Sequence, residues 1–307
     1  MIGVLQGFAI IGFIIAVGFV VGRFRVLGEH APYVLSRLVF FVLTPSLLFT
    51  VLADADVHVL FSSRLLVSAL AAIACFAIFA LVALLVFRRR LPEVVVGSLA
   101  SGYVNANNIG IPVAAYVIGD ATYSAPVVLV QLLVFAPIGL ALIGGSVSGH
   151  FSVGSVLLQT VRNPLIIASA LGVLVAVSGI ELPTFVFEPF RLLGAAAVGV
   201  LLVNFGMSLS GSRLLEPGSG RRDVILATVL KVLVMPLVAF LLARFVFGMQ
   251  GHELFAIVVL AALPTAQNVF NYAQRYERGV VIARDTILLT TVLCIPVLVV
   301  IALLLKS

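Results

Sequence analysis

Long apolar runs separated by short clusters of charged, glycine and proline residues dominate the chain. A helix rises about 1.5 Å per residue, so about 20 apolar residues cross the hydrocarbon core of a bilayer. Ten such runs occur, at 3–22, 37–53, 65–87, 94–119, 122–146, 163–179, 191–211, 224–246, 254–274 and 286–305. They predict an all-α polytopic membrane protein with ten transmembrane helices. No basic residue precedes the first run, and Arg23 and Arg25 follow it. That is the reverse of a secretory signal's charge order, so the run predicts a retained span.

Composition narrows the class. At 63% hydrophobic and 10% charged, the chain is too apolar for a water-soluble globule. Its net charge of +6 does not point to nucleic acid, because the basic residues sit between apolar runs and set topology. With the N-terminus outside, thirteen arginines (Arg23, Arg25, Arg37, Arg88, Arg89, Arg90, Arg162, Arg213, Arg221, Arg222, Arg275, Arg278 and Arg284) share one face. Arg64, Arg191, Arg244 and Lys306 take the other face, and Lys231 falls within a span. Excess Lys and Arg mark the cytoplasmic side, which predicts a multi-pass protein of the cell (inner) membrane with both termini outside.

Internal similarity adds a second level of order. Shifting the chain by 160 positions places Glu93, Ala106, Asn108, Tyr116 and Gly119 on Glu253, Ala266, Asn268, Tyr276 and Gly279. Two five-helix repeats are predicted, 1–150 (spans one to five) and 151–307 (spans six to ten). An odd number of spans per repeat inverts the second copy in the membrane. Inverted repeats with interrupted helices mark secondary transporters, whose substrate site lies near the midplane.

The fourth and ninth spans carry those interruptions. Asn105, Asn107, Asn108, Gly110 and Pro112 occupy the middle of one; Pro264, Thr265, Gln267, Asn268 and Asn271 occupy the other. An unpaired amide in hydrocarbon costs about 2–7 kcal/mol, so these side chains are expected to line a polar cavity. Proline removes a backbone donor, while Asn and Thr favour helix starts. Each span therefore predicts two half-helices. Their N-terminal ends would each present about half a positive charge to the cavity, a field suited to carboxylate or phosphate. Lys231, seven residues past Val224, is the full charge nearest this depth. Three roles are open to it: balancing an anion, bonding carbonyls freed at the crossing, or snorkelling to the interface.

Other chemistry is not supported. Cys75 and Cys294 lie in apolar stretches without a partner at ligand spacing, which predicts neither a disulfide nor a metal or cofactor site. His30, His58, His150 and His252 fall in connections, and no Ser–His or paired-carboxylate constellation can be built in the spans, so the chain does not read as an enzyme. Nor is a soluble output domain of a receptor attached. All twelve acidic residues fall in connections or at span ends, leaving no buried carboxylate to relay cations. Membrane potential, worth about 2.3 kcal/mol per charge per 100 mV, then favours anion export or uniport.

The motifs Thr44-Pro-Ser-Leu-Leu-Phe, Asn105-Ala-Asn-Asn-Ile-Gly-Ile-Pro112, Arg162-Asn-Pro164, Lys231 with Pro236, and Ala262-Leu-Pro264 resemble those of the auxin efflux carrier family. That family includes the plant PIN exporters and bacterial malate and malonate permeases. The resemblance implies the sodium/proton antiporter-like fold, with a scaffold domain from spans one, two, six and seven and a transport domain from the rest. It implies crossed fourth and ninth helices forming the site through Asn105, Asn108, Pro112, Pro264 and Asn268, a small organic anion such as a carboxylate as substrate, and a homodimer joined through the scaffold. Only about sixteen residues separate spans five and six, unlike the long loop of the plant exporters, and the acidic and lysine pair of their third span is missing. The bacterial organic-acid carriers are therefore the closer comparison. The alternative is a sodium- or proton-coupled organic anion symporter of the bile-acid type, which shares a Gln-Asn pair like Gln267-Asn268 but carries an intramembrane glutamate absent here.

Overall fold

The computed structural model describes residues 2–54, 63–148, 154, 162–180, 182–209 and 220–305. Among them the chain is helical throughout, with a single isolated β-bridge and no strand. The helices are α1 (Ile2–Arg23), α2 (Ala31–Ala53), α3 (Ser63–Leu85), α4 (Leu91–Gly102), α5 (Ala106–Ile118) and α6 (Ala121–Val147). They continue as α7 (Pro164–Ser178), α8 (Thr184–Leu209), α9 (Arg221–Val246), α10 (Gly251–Ala261), α11 (Gln267–Tyr276) and α12 (Val280–Leu305). Six of these, α2, α3, α6, α8, α9 and α12, are both long and apolar enough to cross a membrane.

Several helices start before their apolar runs. α2 begins at Ala31 rather than 37, α8 at Thr184 rather than 191, and α12 at Val280 rather than 286. An apolar window stops at a charge, whereas a helix continues wherever that charge finds a partner or a wet face. Asp285, expected at a span end, lies inside α12, buried and 2.7 Å from Arg284. Asp223 is likewise buried in the first turn of α9, where Arg89 reaches it at 2.7 Å. This hydrogen-bonded pair holds the Arg89 pKa above its ordinary value. Arg213, Lys306, His58, His150, Asp56, Glu181 and Glu216, and the boundary between 150 and 151, lie outside the described residues, as does the side chain of Arg275.

Proline shapes the helices without ending them. A five-residue π turn stands two positions before each of Pro45, Pro112, Pro137 and Pro236, at Val39–Leu43, Ala106–Gly110, Gln131–Phe135 and Leu230–Val234. Proline lacks an N–H and its ring crowds the carbonyl four residues back; a widened turn relieves both problems. Pro296 stands in α12 without one.

Two sets of helices pack closely. In one, α1 meets α8 where a Cβ on Gly18 would lie 2.2 Å from the Val203 carbonyl and one on Gly206 2.1 Å from that of Ile15. α7 and α8 both press on α2, with Gly172 against Phe49 and Gly194 against Leu47. Small residues such as Gly194, Ala195 and Gly199 on one span announce a close approach without naming its partner; Gly194 packs on α2, while Gly199 faces open space. In the other set α3, α4, α9, α10 and α12 pack on one another, with Phe79 filling the space a Cβ on Gly97 would take, and one core cluster runs through both sets. Arg64 on α3 pairs with Glu253 on α10 at 2.8 Å.

Candidate functional site

The local sequence explains two helix breaks. α4 ends at Gly102, and the chain stays extended until Asn105 starts α5 by accepting the Asn108 N–H on its own side-chain oxygen at 3.1 Å. α10 ends at Ala261, and Pro264 has no N–H with which to continue the ladder. The two extended segments run antiparallel past each other. Asn105 N donates to the Pro264 carbonyl at 2.7 Å, and Ala266 N donates to that of Tyr103 at 3.0 Å. Val104 and Thr265, paired between them, are 161 positions apart. Advancing one bond by 161 positions gives the partners of the other, so the local dyad sits one residue from the sequence alignment.

Each break frees carbonyls at the end of its first half-helix. For α4, the Thr265 hydroxyl donates to Ala100 O at 2.6 Å, while Thr265 N donates to the Thr290 hydroxyl at 3.1 Å. For α10, Lys231 Nζ donates to Ala261 O at 2.7 Å and lies 3.2 Å from Met235 Sδ. Ala100 and Ala261 are again 161 positions apart. Lys231 is fully buried, so it neither snorkels nor lines the main cavity. Its flexible chain reaches the freed carbonyl, the second of its three anticipated roles.

The opposite sides of the breaks, the N-terminal ends of α5 and α11, face a cavity of about 550 Å³. Asn105, Asn107, Asn108, Gln267 and Asn268 all line it, joined by Asn271. Asn108 donates to Gln267 across the crossing at 3.2 Å, and Asn107 donates to Asn108 at 3.1 Å. Asn105 Nδ2 and Asn107 Oδ1 are buried without a protein partner. Thr265 and Pro264 form the crossing itself, whereas Gly110 and Pro112 lie farther along α5. Gly110 is needed for packing, since a Cβ there would meet Ser124 Oγ at 2.8 Å. A smaller chamber of about 220 Å³, walled by Phe40, Leu132, Pro137, Ile166 and Asn163, adjoins the cavity at Asn268 and Asn271.

Sequence reasoning missed several lining residues, Gln131, Asn204, Tyr33 and Arg37 among them. Gln131 and Asn204 are isolated amides in the middle of apolar runs, a signal of the same kind as the asparagine clusters. Tyr33 and Arg37 stand before the apolar window of the second span or at its edge, and Arg37 was counted only as a topology charge. Among the described residues, no group of three His, Cys, Asp or Glu side chains is placed to hold a metal ion.

An all-helical, multi-pass membrane protein with two broken segments around a polar cavity is built as a membrane transporter. The chain matches the family described as membrane transport protein over residues 4–143 and 147–302, and it belongs to that family, the auxin efflux carriers of the sequence resemblance. It is similar to the uncharacterized transporter YfdV of Escherichia coli, 25% identical over 86% of this chain and 85% of the relative. It is also similar to the uncharacterized transporter MJ1031 of Methanocaldococcus jannaschii, 24% identical over 91% of both chains. An uncharacterized transporter of Methanothermobacter thermautotrophicus is 26% identical, again over 91% of each.

Proposed function

We propose that this transporter carries small organic anions, carboxylates above all, across the cell membrane by alternating access. The observation that carries the reading is the cavity at the crossing: two helix N-termini converge on it, amides line it, and among the described residues no acidic side chain does. Aligned N–H groups and the positive end of each helix dipole favour a negative guest. Asn105, which lines the same space, holds a buried and unpartnered donor in its Nδ2.

In this reading the chain comprises two inverted five-helix repeats, 1–150 and 151–307, in the sodium/proton antiporter-like arrangement. The exchange of hydrogen bonds at Val104 and Thr265 supports the repeat, because its two bonds interconvert under one shift. Close packing of α1, α2, α7 and α8 supports a scaffold, against which the remaining helices move as the transport domain. The arginine-rich connections face the cytoplasm and both termini lie outside. The cavity walls then come from the cytoplasmic halves of α2 and α8, so the site loads from inside. With a negative interior, net flux is export or potential-driven uniport, by a homodimer joined through the scaffold.

The test is flux of labelled mono- and dicarboxylates in proteoliposomes, with imposed potential, sodium and pH gradients varied one at a time. Carboxylate flux that follows the potential and ignores sodium is the expected result. Flux that requires a sodium gradient returns the bile-acid type of symport, and absence of anion flux in a folded protein overturns the proposal.

A further inference from the structure

The cavity has a cation, and it is not Lys231. Arg37 is the one formally charged residue lining it among the described residues, and it stands near the N-terminal end of α2. Its guanidinium donates to the Tyr33 hydroxyl at 2.9 Å and lies over two rings, 5.7 Å from the centre of Tyr33 and 5.3 Å from that of Phe41. Among the described residues no carboxylate pairs with it. Arg25, Arg64, Arg89, Arg191 and Arg284, by contrast, each have an acidic partner.

Ser36, the residue before Arg37, accepts a hydrogen bond from Asn204 at 3.0 Å, tying α2 to α8. Asn204 is nine-tenths buried, and its side-chain oxygen has no protein partner although it belongs to the cavity wall. A charge at the rim and an unfilled polar group beside it mark this wall as a place where a ligand is met.

We propose that Arg37 is the residue that selects for anions: its guanidinium, held on Tyr33 and Phe41, grips a carboxylate at the cavity mouth before the substrate reaches the amides of the crossing. The proposal rests on the anion-carrier reading above. Three physical features fit the task. A guanidinium offers a planar fork that binds both oxygens of a carboxylate. Contact with two aromatic faces holds the cation without neutralising it, as an acidic partner would. Its position at the rim leaves it hydrated until the anion arrives, so the charge is not carried at full desolvation cost.

A topology role alone requires only a positive charge at that face, and lysine supplies it as well as arginine. Arg37→Lys therefore keeps topology and isolates the fork, while Arg37→Gln removes both.

The chain contains no tryptophan, so Phe41→Trp installs a single reporter on the platform and keeps a cation–π surface. The purified variant is titrated with potassium acetate, succinate and benzoate up to about 10 mM at constant ionic strength. Saturable change in emission is expected for at least one of the three. Arg37→Gln in that background is expected to weaken the response about ten- to hundredfold, the loss of a charge-assisted fork, with Arg37→Lys between the two. In flux assays Arg37→Gln is expected to raise the half-saturation concentration by the same factor and leave the maximal rate within about twofold. Higher salt should narrow the gap between the variants.

A silent reporter with all three salts overturns the proposal. So does an Arg37→Gln variant that binds and transports with unchanged affinity, and in that case the anion-carrier reading survives. A saturable, Arg37-dependent response in a protein that moves no anion supports the site and removes the carrier reading instead.

Discussion

The two helix breaks share a backbone geometry but not a means of support. At the first, Asn105 caps α5 with its own side chain, and a neutral hydroxyl from Thr265 satisfies the Ala100 carbonyl. At the second, Pro264 stops the ladder and a fully buried Lys231 amine, supplied by α9, reaches the Ala261 carbonyl. Positions 70 and 71, the counterparts of Lys231 by either shift, hold Leu70 and Ala71, which have nothing to donate. Backbone pairing at the crossing is set by the extended segments and survives changes in side chain. The groups that cover the freed carbonyls are set by whichever neighbour has a donor, and the two breaks differ there.

The sharpest way to break this comparison is at Lys231. Lys231→Met removes the donor and leaves Ala261 O without a side-chain partner in the core, which costs about 1–3 kcal/mol. Thermal unfolding in detergent should show a clear fall in midpoint. Lys231→Gln retains an amide donor and is expected to lose less. Neither should change the half-saturation concentration for carboxylates, because the amine lies outside the cavity. A selective loss of anion affinity in Lys231→Gln would return this residue to the substrate site.

Thr265→Val is the matched change at the other break and preserves shape. It deletes one neutral hydrogen bond, to Ala100 O, and leaves that buried carbonyl without it, so about 1–2 kcal/mol is expected. The backbone bond from Thr265 N to Thr290 remains. A larger destabilisation here than in Lys231→Met would reverse the order of the two supports. In the double variant the costs should fail to add, since both donors hold strands of one crossing.

A comparable contrast holds for the ion pairs of the surrounding core. The Asp223 carboxylate is buried beneath Arg89, whereas Glu253 is about one-third exposed beside Arg64, at 35%. Removing Arg89 strands a buried charge. Arg89→Met should therefore lower the melting midpoint more than Arg64→Met, which leaves a carboxylate water can still reach and is expected to cost up to about 1 kcal/mol.

How much of this was legible in the chain follows from the same physics. Amides in the middle of apolar runs are visible without a structure because hydrocarbon penalises them wherever they point, and Asn105, Asn107, Asn108, Gln267 and Asn268 do gather at one cavity. The target of Lys231 was not legible, because a flexible four-carbon stem leaves the amine free to meet an anion, a carbonyl or the interface, and only the position of Ala261 decides. Arg37 was hidden for a different reason: a hydropathy window treats a charge as the end of a span, yet α2 continues six residues ahead of it, to Ala31. Asp285 was displaced from its helix by the same rule. Gly194 shows the remaining gap, since a small residue announces close approach but not the helix that approaches.

The smallest expected effect on stability accompanies the largest on transport. Asn108→Ala removes a side-chain bond to Gln267 at a wet, half-buried position, and Asn268→Ala removes an amide from the cavity wall. Water replaces the lost partners, so the melting midpoints should stay close to that of the parent protein, within about 1 kcal/mol. Flux should nevertheless vanish in both, because these amides stand at the two N-terminal ends where the reading above places the anion. Lys231→Met and Asn108→Ala thus form opposite arms of one experiment. If the crossing works as two faces, a dry one that holds the break together and a wet one that meets the substrate, the first variant melts early and the second melts normally without transporting. Full flux in both asparagine variants would leave the crossing as architecture alone and move the search for the anion outward, toward Arg37.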